Sequence, residues 1–147
     1  MKPIKTAILS YGMSGEVFHA PLLHAHKGFE ISTIVQRSKD TAKEHYPTCT
    51  LARTVDEAIG DPAIELVIVN TPNELHFNQA SRAILAGKHV VVEKPFTVTV
   101  HEADQLIELA KEKNRMLTAF QNRRWDGDFL TLKQVFDNGW VGRVVEF

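Results

Sequence analysis

Residues 4–15 read IKTAILSYGMSG, an apolar run that passes directly into a turn with two glycines. The run Ile4–Leu9 is nearly continuous in its apolar residues, which is typical of a strand buried on both faces of a parallel sheet. Similar runs alternate with helical patterns along the chain, which predicts an α/β fold with a doubly wound parallel sheet, a Rossmann fold. We expect these further strands at Ile31–Val35, Leu66–Val69 and His89–Val92, and a weaker one at Met116–Phe120.

Helix signals lie between the predicted strands. Thr99 and Glu102 form a capping box, in which two side chains satisfy backbone N–H groups at the start of a helix. Asn73 stands where it can cap the helix that precedes the fourth strand. Pro21 is expected to interrupt or restart the first helix, because a proline inside a helix removes a hydrogen bond.

The composition excludes several classes of protein. The chain has 147 residues, and its 17 basic and 18 acidic side chains give a net charge of -1. This balance argues against a nucleic-acid binder, which usually carries a basic face. No apolar run approaches the roughly 18 residues that a membrane span needs. The single Cys49 cannot form an internal disulfide, and the seven histidines show no cluster typical of a metal site. We therefore expect a cytoplasmic chain without a metal, a membrane contact or a nucleic-acid partner.

The turn after the first strand carries the second and third glycines of a G-x-G-x-x-G motif. Gly12 would let the backbone approach a pyrophosphate, and Gly15 would let the following helix pack tightly on the strand. Ser10 replaces the first glycine, which weakens the motif, and glycines also occur in turns that bind nothing. Its position after the first strand nevertheless predicts a dinucleotide site. We expect the contacts from Tyr11, Gly12, Met13, Ser14 and Gly15.

The end of the second predicted strand indicates which dinucleotide binds. A site for NAD usually has an acidic residue here that accepts a hydrogen bond from the ribose 2′-hydroxyl. This chain instead has Arg37, Ser38 and Lys39, with no acid before Asp40. The two cations can pair with a 2′-phosphate and the serine can donate to it. The sequence therefore predicts NADP in preference to NAD, although Arg37 and Lys39 could also be ordinary solvated charges.

Three further segments follow predicted strands, where a doubly wound sheet places its ligand site. They are Thr71-Pro72-Asn73 with His76, then Glu93-Lys94-Pro95-Phe96-Thr97, then Gln121-Asn122-Arg123-Arg124. Together with Phe18-His19-Ala20-Pro21, they resemble the N-terminal half of the glucose–fructose oxidoreductase / inositol 2-dehydrogenase / rhizopine-catabolism protein (Gfo/Idh/MocA) family. The Glu-Lys-Pro block is the most specific of these motifs, and the resemblance covers essentially the whole chain.

The resemblance implies roles for the residues that carry it. Lys94 would be the catalytic lysine, since an ammonium near a substrate hydroxyl can stabilise a developing alkoxide and pass on a proton. An ion pair with Glu93 is the structural alternative for Lys94. Glu93 would contact the nicotinamide ribose, and the family often has a cis bond before the proline that corresponds to Pro95. The cofactor would also be flanked by Thr71, Pro72, Asn73, His76, Gln121 and Asn122.

Several of these residues also fit a purely structural role. Asn73 can serve as a helix cap and still face a ligand, and His76 could be an ordinary residue of the first helical turn. Arg123 or Arg124 could reach an anionic or polyhydroxyl substrate, and one of them is expected to be only a surface charge. Trp125 could belong to an interface as readily as to a substrate platform.

The resemblance also implies the organisation of the chain. Residues 1–122 would form the NAD(P)-binding Rossmann domain. Residues 123–147 would form a connecting helix and the first strand, Gly142–Phe147, of a truncated C-terminal α+β substrate domain. In the family that domain supplies an Asp and a His to the site and much of the oligomer interface, so we expect a homo-oligomer formed through it.

Two functions remain open from the sequence. The first is an NADP-dependent oxidoreductase that acts on a sugar, cyclitol or related alcohol or ketone, of which this chain is the cofactor-binding half. The second is a non-catalytic dinucleotide-binding regulatory module, as found among relatives in the family. Retention of Lys94 favours the enzyme. In either case, the chain alone is expected to bind NADPH without turning over a sugar or polyol.

Overall fold

The computed structural model describes residues 2–146, which form one six-stranded sheet with helices around it. The strand order is β3-β2-β1-β4-β5-β6, and all neighbouring strands are parallel. This is the order of a dinucleotide-binding Rossmann sheet, so the predicted doubly wound α/β fold is confirmed. The strands are β1 Ile4–Ile8, β2 Phe29–Val35, β3 Thr50–Ala52, β4 Leu66–Val69, β5 His89–Val92 and β6 Leu117–Ala119.

Helices connect the strands and cover both faces of the sheet. The α-helices are α1 Ala20–Ala25, α2 Ala42–His45, α3 Val55–Gly60, α4 His76–Leu85, α5 Val100–Glu112 and α6 Gly127–Asp137. A π-helical turn, Gly15–His19, runs directly into α1, and Pro21 is near the start of that helix. The helical stretch changes type one residue before the proline but does not break, so the expected interruption is not found.

The centre of the sheet explains its continuous apolar runs. Val67 and Val69 of β4 belong to the core cluster on one face, whereas Leu66 and Ile68 belong to the cluster on the other face. Successive residues of a strand point to opposite faces, so a strand covered on both sides must be apolar at every position. This burial fixes β4 next to β1, at the point where the strand order reverses.

Two predicted helix starts have different outcomes. The capping box of Thr99 and Glu102 is present at the start of α5, as predicted. The prediction that Asn73 caps α4 is wrong, because a 3-10 turn at Asn73–Leu75 precedes the helix and α4 begins only at His76. Pro72 is the residue before this turn, and its carbonyl accepts a hydrogen bond from the N–H of Leu75 at 2.9 Å.

The C-terminal segment contains the expected helix, α6. Residues 142–146 have no strand structure and Phe147 lies outside the described residues, so the strand expected at Gly142–Phe147 in a second domain stays a prediction. A strand exists only through hydrogen bonds to a neighbouring strand, and no strand within residues 2–146 pairs with this segment. The proposed domain boundary at residues 122 and 123 stays a prediction.

Among the described residues, no helix combines the length and apolar character that crossing a membrane requires. Helix α6, the last of them, has no buried residue.

The close approach of the first helical turn to β1 gives a test of the fold. A Cβ at Gly15 would lie 2.1 Å from the carbonyl oxygen of Ser10, so Gly15→Ala forces backbone atoms apart. We expect this substitution to lower the free energy of unfolding by about 1–3 kcal/mol, the usual cost of overpacking, measured by urea denaturation.

The matched control is Gly60→Ala at the end of α3, where an added Cβ meets nothing within 4 Å. It should leave stability unchanged or slightly raised, because alanine restricts the unfolded chain more than glycine does. Equal stabilities for the two variants would contradict the packing role of Gly15.

Candidate cofactor-binding site

A cleft of about 590 Å³ opens at the carboxyl ends of β1, β2 and β4. Doubly wound sheets bind their ligands in this crevice, where the strand order reverses between β1 and β4. Its size lies within the usual range for ligand pockets. Eight of the residues that were singled out in the sequence line it: Ser10, Tyr11, Gly12, Arg37, Ser38, Lys39, Thr71 and Pro72.

The first turn is held in place by Asn70, which directly follows β4. Its side-chain oxygen accepts from the N–H of Ser10 at 2.9 Å, and its Nδ2 donates to the carbonyl of Ser10 at 2.8 Å. The same Nδ2 also lies 3.3 Å from Oγ of Ser14. Asn70 is buried, so these bonds satisfy an amide that would be costly to leave unpaired. The role of this residue was not predicted from the sequence.

The two glycines of the turn differ in what requires them. Gly15 is required by the protein itself, since a Cβ would meet both the Ser10 carbonyl and the Asn70 amide. Gly12 lines the cleft, and the nearest atom to an added Cβ is Oγ of Ser10 at 3.7 Å. The chain could therefore accommodate a side chain at position 12. Because glycine has none, the backbone there is accessible from the cleft. This is the arrangement that a pyrophosphate needs.

The other residues of the turn lie around this backbone. Tyr11 is half-buried against Tyr46 in an edge-to-face contact, with ring centroids 6.3 Å apart. Burial, followed by the nearby Tyr46 and Glu16, raises the pKa of Tyr11 to about 12, so its phenol stays neutral. Met13 is exposed, and Ser14 immediately precedes the π turn.

The loop after β2 presents its cations to the cleft. Arg37, Ser38 and Lys39 are exposed and line it, and none of their side chains forms a hydrogen bond or ion pair with another described residue. The buried Gln36 anchors the loop, since its Oε1 accepts from the N–H of Ala42 at 2.9 Å. The loop thus has a fixed base and free charged ends.

The segment after β4 is tied to the segment after β5 through His76. This ring is fully buried, with Nε2 2.8 Å from the carbonyl of Thr71 and Nδ1 2.9 Å from the carbonyl of Pro95. His76 thus has a structural role here, and its predicted contact with a cofactor stays a prediction. Thr71 also donates from its hydroxyl to Oε1 of Gln79 at 2.6 Å, whereas Asn73 is exposed.

Glu93 connects the first helical turn with Lys94. One of its carboxylate oxygens lies 3.1 Å from Nε2 of His19, and the other accepts from the backbone N–H of Lys94 at 2.9 Å. The alternative of an ion pair between Glu93 and the Lys94 ammonium is thus not found. Lys94 is exposed, and its ammonium has no partner among residues 2–146. The Lys94–Pro95 bond is cis, as the resemblance implied.

His19 is buried at the end of the π turn and packs on Phe120, with ring centroids 4.3 Å apart. Burial lowers the pKa of His19 below its ordinary value, and the negative charge of Glu93 only partly opposes this. The neutral ring donates from Nε2 to Glu93. The motif Phe18-His19-Ala20-Pro21 contains this residue, but the sequence did not indicate its role.

The segment after β6 is only partly engaged in the fold. Gln121 is exposed, and Asn122 begins a 3-10 turn, Asn122–Trp125. Arg123 forms an ion pair with Asp126 at 2.8 Å and lies over the ring of Phe18 at 5.9 Å, so its charge is already used within the chain. Trp125 is 72% exposed.

The structure divides the predicted site residues into two groups. Besides those that line the cleft, the others lie on the turns at the same edge of the sheet: Met13, Ser14, Gly15, Asn73, His76, Glu93, Lys94, Gln121 and Asn122. Sequence analysis did not identify Asn70, Gln79 or Arg53, of which Gln79 and Arg53 line the cleft. A polar residue directly after the buried strand β4 was the signal for Asn70. Arg53 follows β3, a strand that the sequence analysis did not predict.

Within residues 2–146, no group of three or more histidine, cysteine, aspartate or glutamate side chains is arranged to hold a metal ion.

Among known proteins, this chain is similar to oxidoreductases and dehydrogenases. The chain is 47% identical to an uncharacterized oxidoreductase, C115.03, of Schizosaccharomyces pombe, over 100% of this chain and 41% of the relative. It is 46% identical to the scyllo-inositol 2-dehydrogenase (NADP(+)) IolW of Bacillus subtilis, over 92% of this chain and 38% of that protein. The chain thus spans about two fifths of the length of these curated relatives.

The solved structures agree with the sequence relatives. A crystal structure of a Bacteroides fragilis protein assigned as an oxidoreductase superposes with a TM-score of 0.90 at 48% identity, covering 97% of this chain and 44% of that one. Residues 4–121 match the model of the family described as "Oxidoreductase family, NAD-binding Rossmann fold". That match spans most of the chain and contains both the glycine turn and the Glu-Lys-Pro block. The chain therefore belongs to the Gfo/Idh/MocA oxidoreductase family.

Proposed function

We propose that this chain binds NADP(H) in preference to NAD(H), as the cofactor-binding half of an oxidoreductase that acts on a sugar or cyclitol. The observation that carries the proposal is the cleft itself, in which the exposed Arg37, Ser38 and Lys39 share a wall with the glycine turn. The relative IolW, whose name states both scyllo-inositol and NADP(+), supports the cofactor and the substrate class.

The residues of the cleft fit a dinucleotide. Gly12 leaves backbone accessible at the turn, and the π turn that follows begins at Gly15, beside the same edge of the sheet. Arg37 and Lys39 supply two positive charges without partners among the described residues, which suits the additional phosphate of NADP. When bound, the nicotinamide supplies the hydride acceptor or donor.

We propose that Lys94 acts on the substrate. Its backbone N–H is fixed by Glu93, which is itself held by the buried His19, while its ammonium remains exposed at the end of β5. An ammonium here can donate a hydrogen bond to the substrate oxygen and stabilise the negative charge that develops on it. It can also take up or release the hydroxyl proton at Nζ. We assign Lys94 this role in the whole protein, which we also expect to be a homo-oligomer.

Arg37 provides the first test of cofactor choice. A charge-assisted hydrogen bond to a phosphate is worth about 1.5–3 kcal/mol, so Arg37→Ala should weaken NADPH binding about 10- to 100-fold. The affinity for NADH should change little, because NADH lacks the 2′-phosphate. Isothermal titration calorimetry on the purified chain measures both.

The matched control for this test is Arg143→Ala, which removes an exposed arginine beyond α6 and should change neither affinity. Wild-type chain that binds NADH as tightly as NADPH, or an Arg37→Ala variant that keeps its NADPH affinity, would contradict the NADP assignment.

Lys94 provides the test of catalysis, which belongs to the whole protein. In the longer protein, assayed with scyllo-inositol and NADP⁺, Lys94→Ala should lower kcat about 100-fold or more, since a positioned acid–base group contributes at least that much. The Kd for NADPH should stay within about threefold, because the ammonium contacts substrate rather than the cofactor phosphates.

The control for Lys94 is Lys113→Ala, an exposed lysine paired with Glu112 at the end of α5, which should retain full activity. If wild-type protein binds NADPH but oxidises no polyol, and Lys94→Ala changes nothing, the chain is better described as a dinucleotide-binding regulatory module.

The neutral His19 predicts how stability depends on pH. Because burial lowers its pKa in the folded state, the unfolded chain takes up the extra proton as the pH falls through about 6.5. Stability should therefore decrease between about pH 7.5 and pH 5.5, and the midpoint of thermal unfolding should fall. His19→Gln keeps a side-chain N–H donor but cannot titrate, so its midpoint should fall less over this range.

The exposed His101 of α5 offers the matched control, and His101→Gln should follow the wild-type pH dependence. A His19→Gln variant that loses stability as steeply as wild type would show that His19 is not the group responsible.

A further inference from the structure

Arg53 lines the cleft beside the loop that follows β2. This residue directly follows β3, and its Nη1 donates to the carbonyls of Gln36 and Lys39, both at 3.0 Å. Its Nη2 donates to Oδ1 of Asp40 at 2.7 Å. A single guanidinium thus holds the beginning and the end of residues 36–40, which is the loop that carries Arg37, Ser38 and Lys39.

The contacts of Arg53 and Gln36 make this loop a fixed frame. Gln36 bonds to Thr41 and Ala42 through its side chain, and Arg53 donates to the carbonyls of Gln36 and Lys39. The side chains of those three residues form no bond with the rest of the described chain. The backbone is therefore held while the phosphate-binding groups remain available.

Arg53 also changes the charge of the loop. Asp40 is the one acidic residue in residues 36–40, and an acid after β2 is the feature that binds a ribose 2′-hydroxyl in NAD sites and repels a 2′-phosphate. Its carboxylate is occupied by Arg53, so the attraction of Asp40 for a hydroxyl and its repulsion of a phosphate are both reduced. Lysine could not replace this arrangement, because its compact ammonium lacks the planar fork of donors.

We propose that Arg53 is a specificity-determining positioning residue, which selects the 2′-phosphate by fixing residues 36–40 and neutralising Asp40. The inference rests on the proposed preference for NADP and explains how residues 36–40 produce that preference. The ion pair is exposed, with side-chain exposures of 47% and 67%, so it should add little to the stability of the fold. Its effect is expected in the choice of cofactor.

The experiment measures the Kd of the purified chain for four ligands by isothermal titration calorimetry: NADPH, NADH, 2′-AMP and 5′-AMP. In Arg53→Ala, the ratio of Kd for NADH to Kd for NADPH should fall by about tenfold, which corresponds to about 1.4 kcal/mol. Binding of 2′-AMP should weaken in parallel, while 5′-AMP and NADH should change less than about threefold, because they lack the 2′-phosphate. The ratio of the two Kd values in Arg53→Lys should lie between those of Arg53→Ala and wild type.

A double variant separates positioning from direct contact. If Arg53 acts by neutralising Asp40, then Asp40→Asn combined with Arg53→Ala should restore part of the NADPH preference. No recovery in the double variant would overturn the neutralisation of Asp40 as part of this role, since removing an acid cannot replace a direct phosphate contact. The midpoint of thermal unfolding should stay near the wild-type value in each variant.

The matched control is Arg82→Ala. Arg82 pairs with Asp56 at comparable exposure, 43% and 70%, but lies on α4, away from the loop. It should leave all four affinities unchanged. Wild-type chain without an NADPH preference would refute the proposed cofactor before any variant is made. Wild-type chain with that preference, together with an unchanged ratio in Arg53→Ala, would refute only the role of Arg53.

Discussion

The pair of hydrogen bonds between the Asn70 amide and the Ser10 backbone is the interaction on which the site depends. The amide offers one acceptor and one donor, and these match the N–H and the carbonyl of Ser10 at 2.9 and 2.8 Å. It thereby continues the contact between β1 and β4 beyond their last paired residues, where a backbone ladder would leave the turn unsupported. This placement of the turn requires Gly15, since a Cβ would strike both partners.

The same arrangement occurs at two other places near this edge of the sheet. In each, a buried polar side chain hydrogen-bonds to the backbone and leaves the charge of a neighbouring residue free. Gln36 anchors the loop that presents Arg37, and Glu93 anchors the backbone of Lys94. Both anchors are buried, and each is hydrogen-bonded, so its burial is compensated. A cation whose charge is already paired, as that of Arg123 is with Asp126, is less available to a ligand.

The sequence predicted the elements that depend on local pattern and missed those that depend on distant contacts. Strands β4 and β5 match the predicted bounds, because a strand buried on both faces has a continuous apolar signal. The three-residue edge strand β3 has no such signal, so neither the strand nor the position of Arg53 directly after it was predicted. Asn70 acts on a residue 60 positions earlier, a contact that only the fold brings about. The cap expected from Asn73 failed because a 3-10 turn comes first, and the roles of the site residues stay predictions.

His19 extends this frame from the first turn to the far end of the site. The π turn that begins at Gly15 ends at His19, which reaches Glu93 after β5 and packs on Phe120 after β6. A wider turn changes the direction of the side chains that follow it, and such turns often lie at functional sites. Asn70 therefore fixes the beginning of this turn and Glu93 fixes its end. A continuous series of hydrogen bonds and helical turns thus joins the glycine turn to the backbone of Lys94.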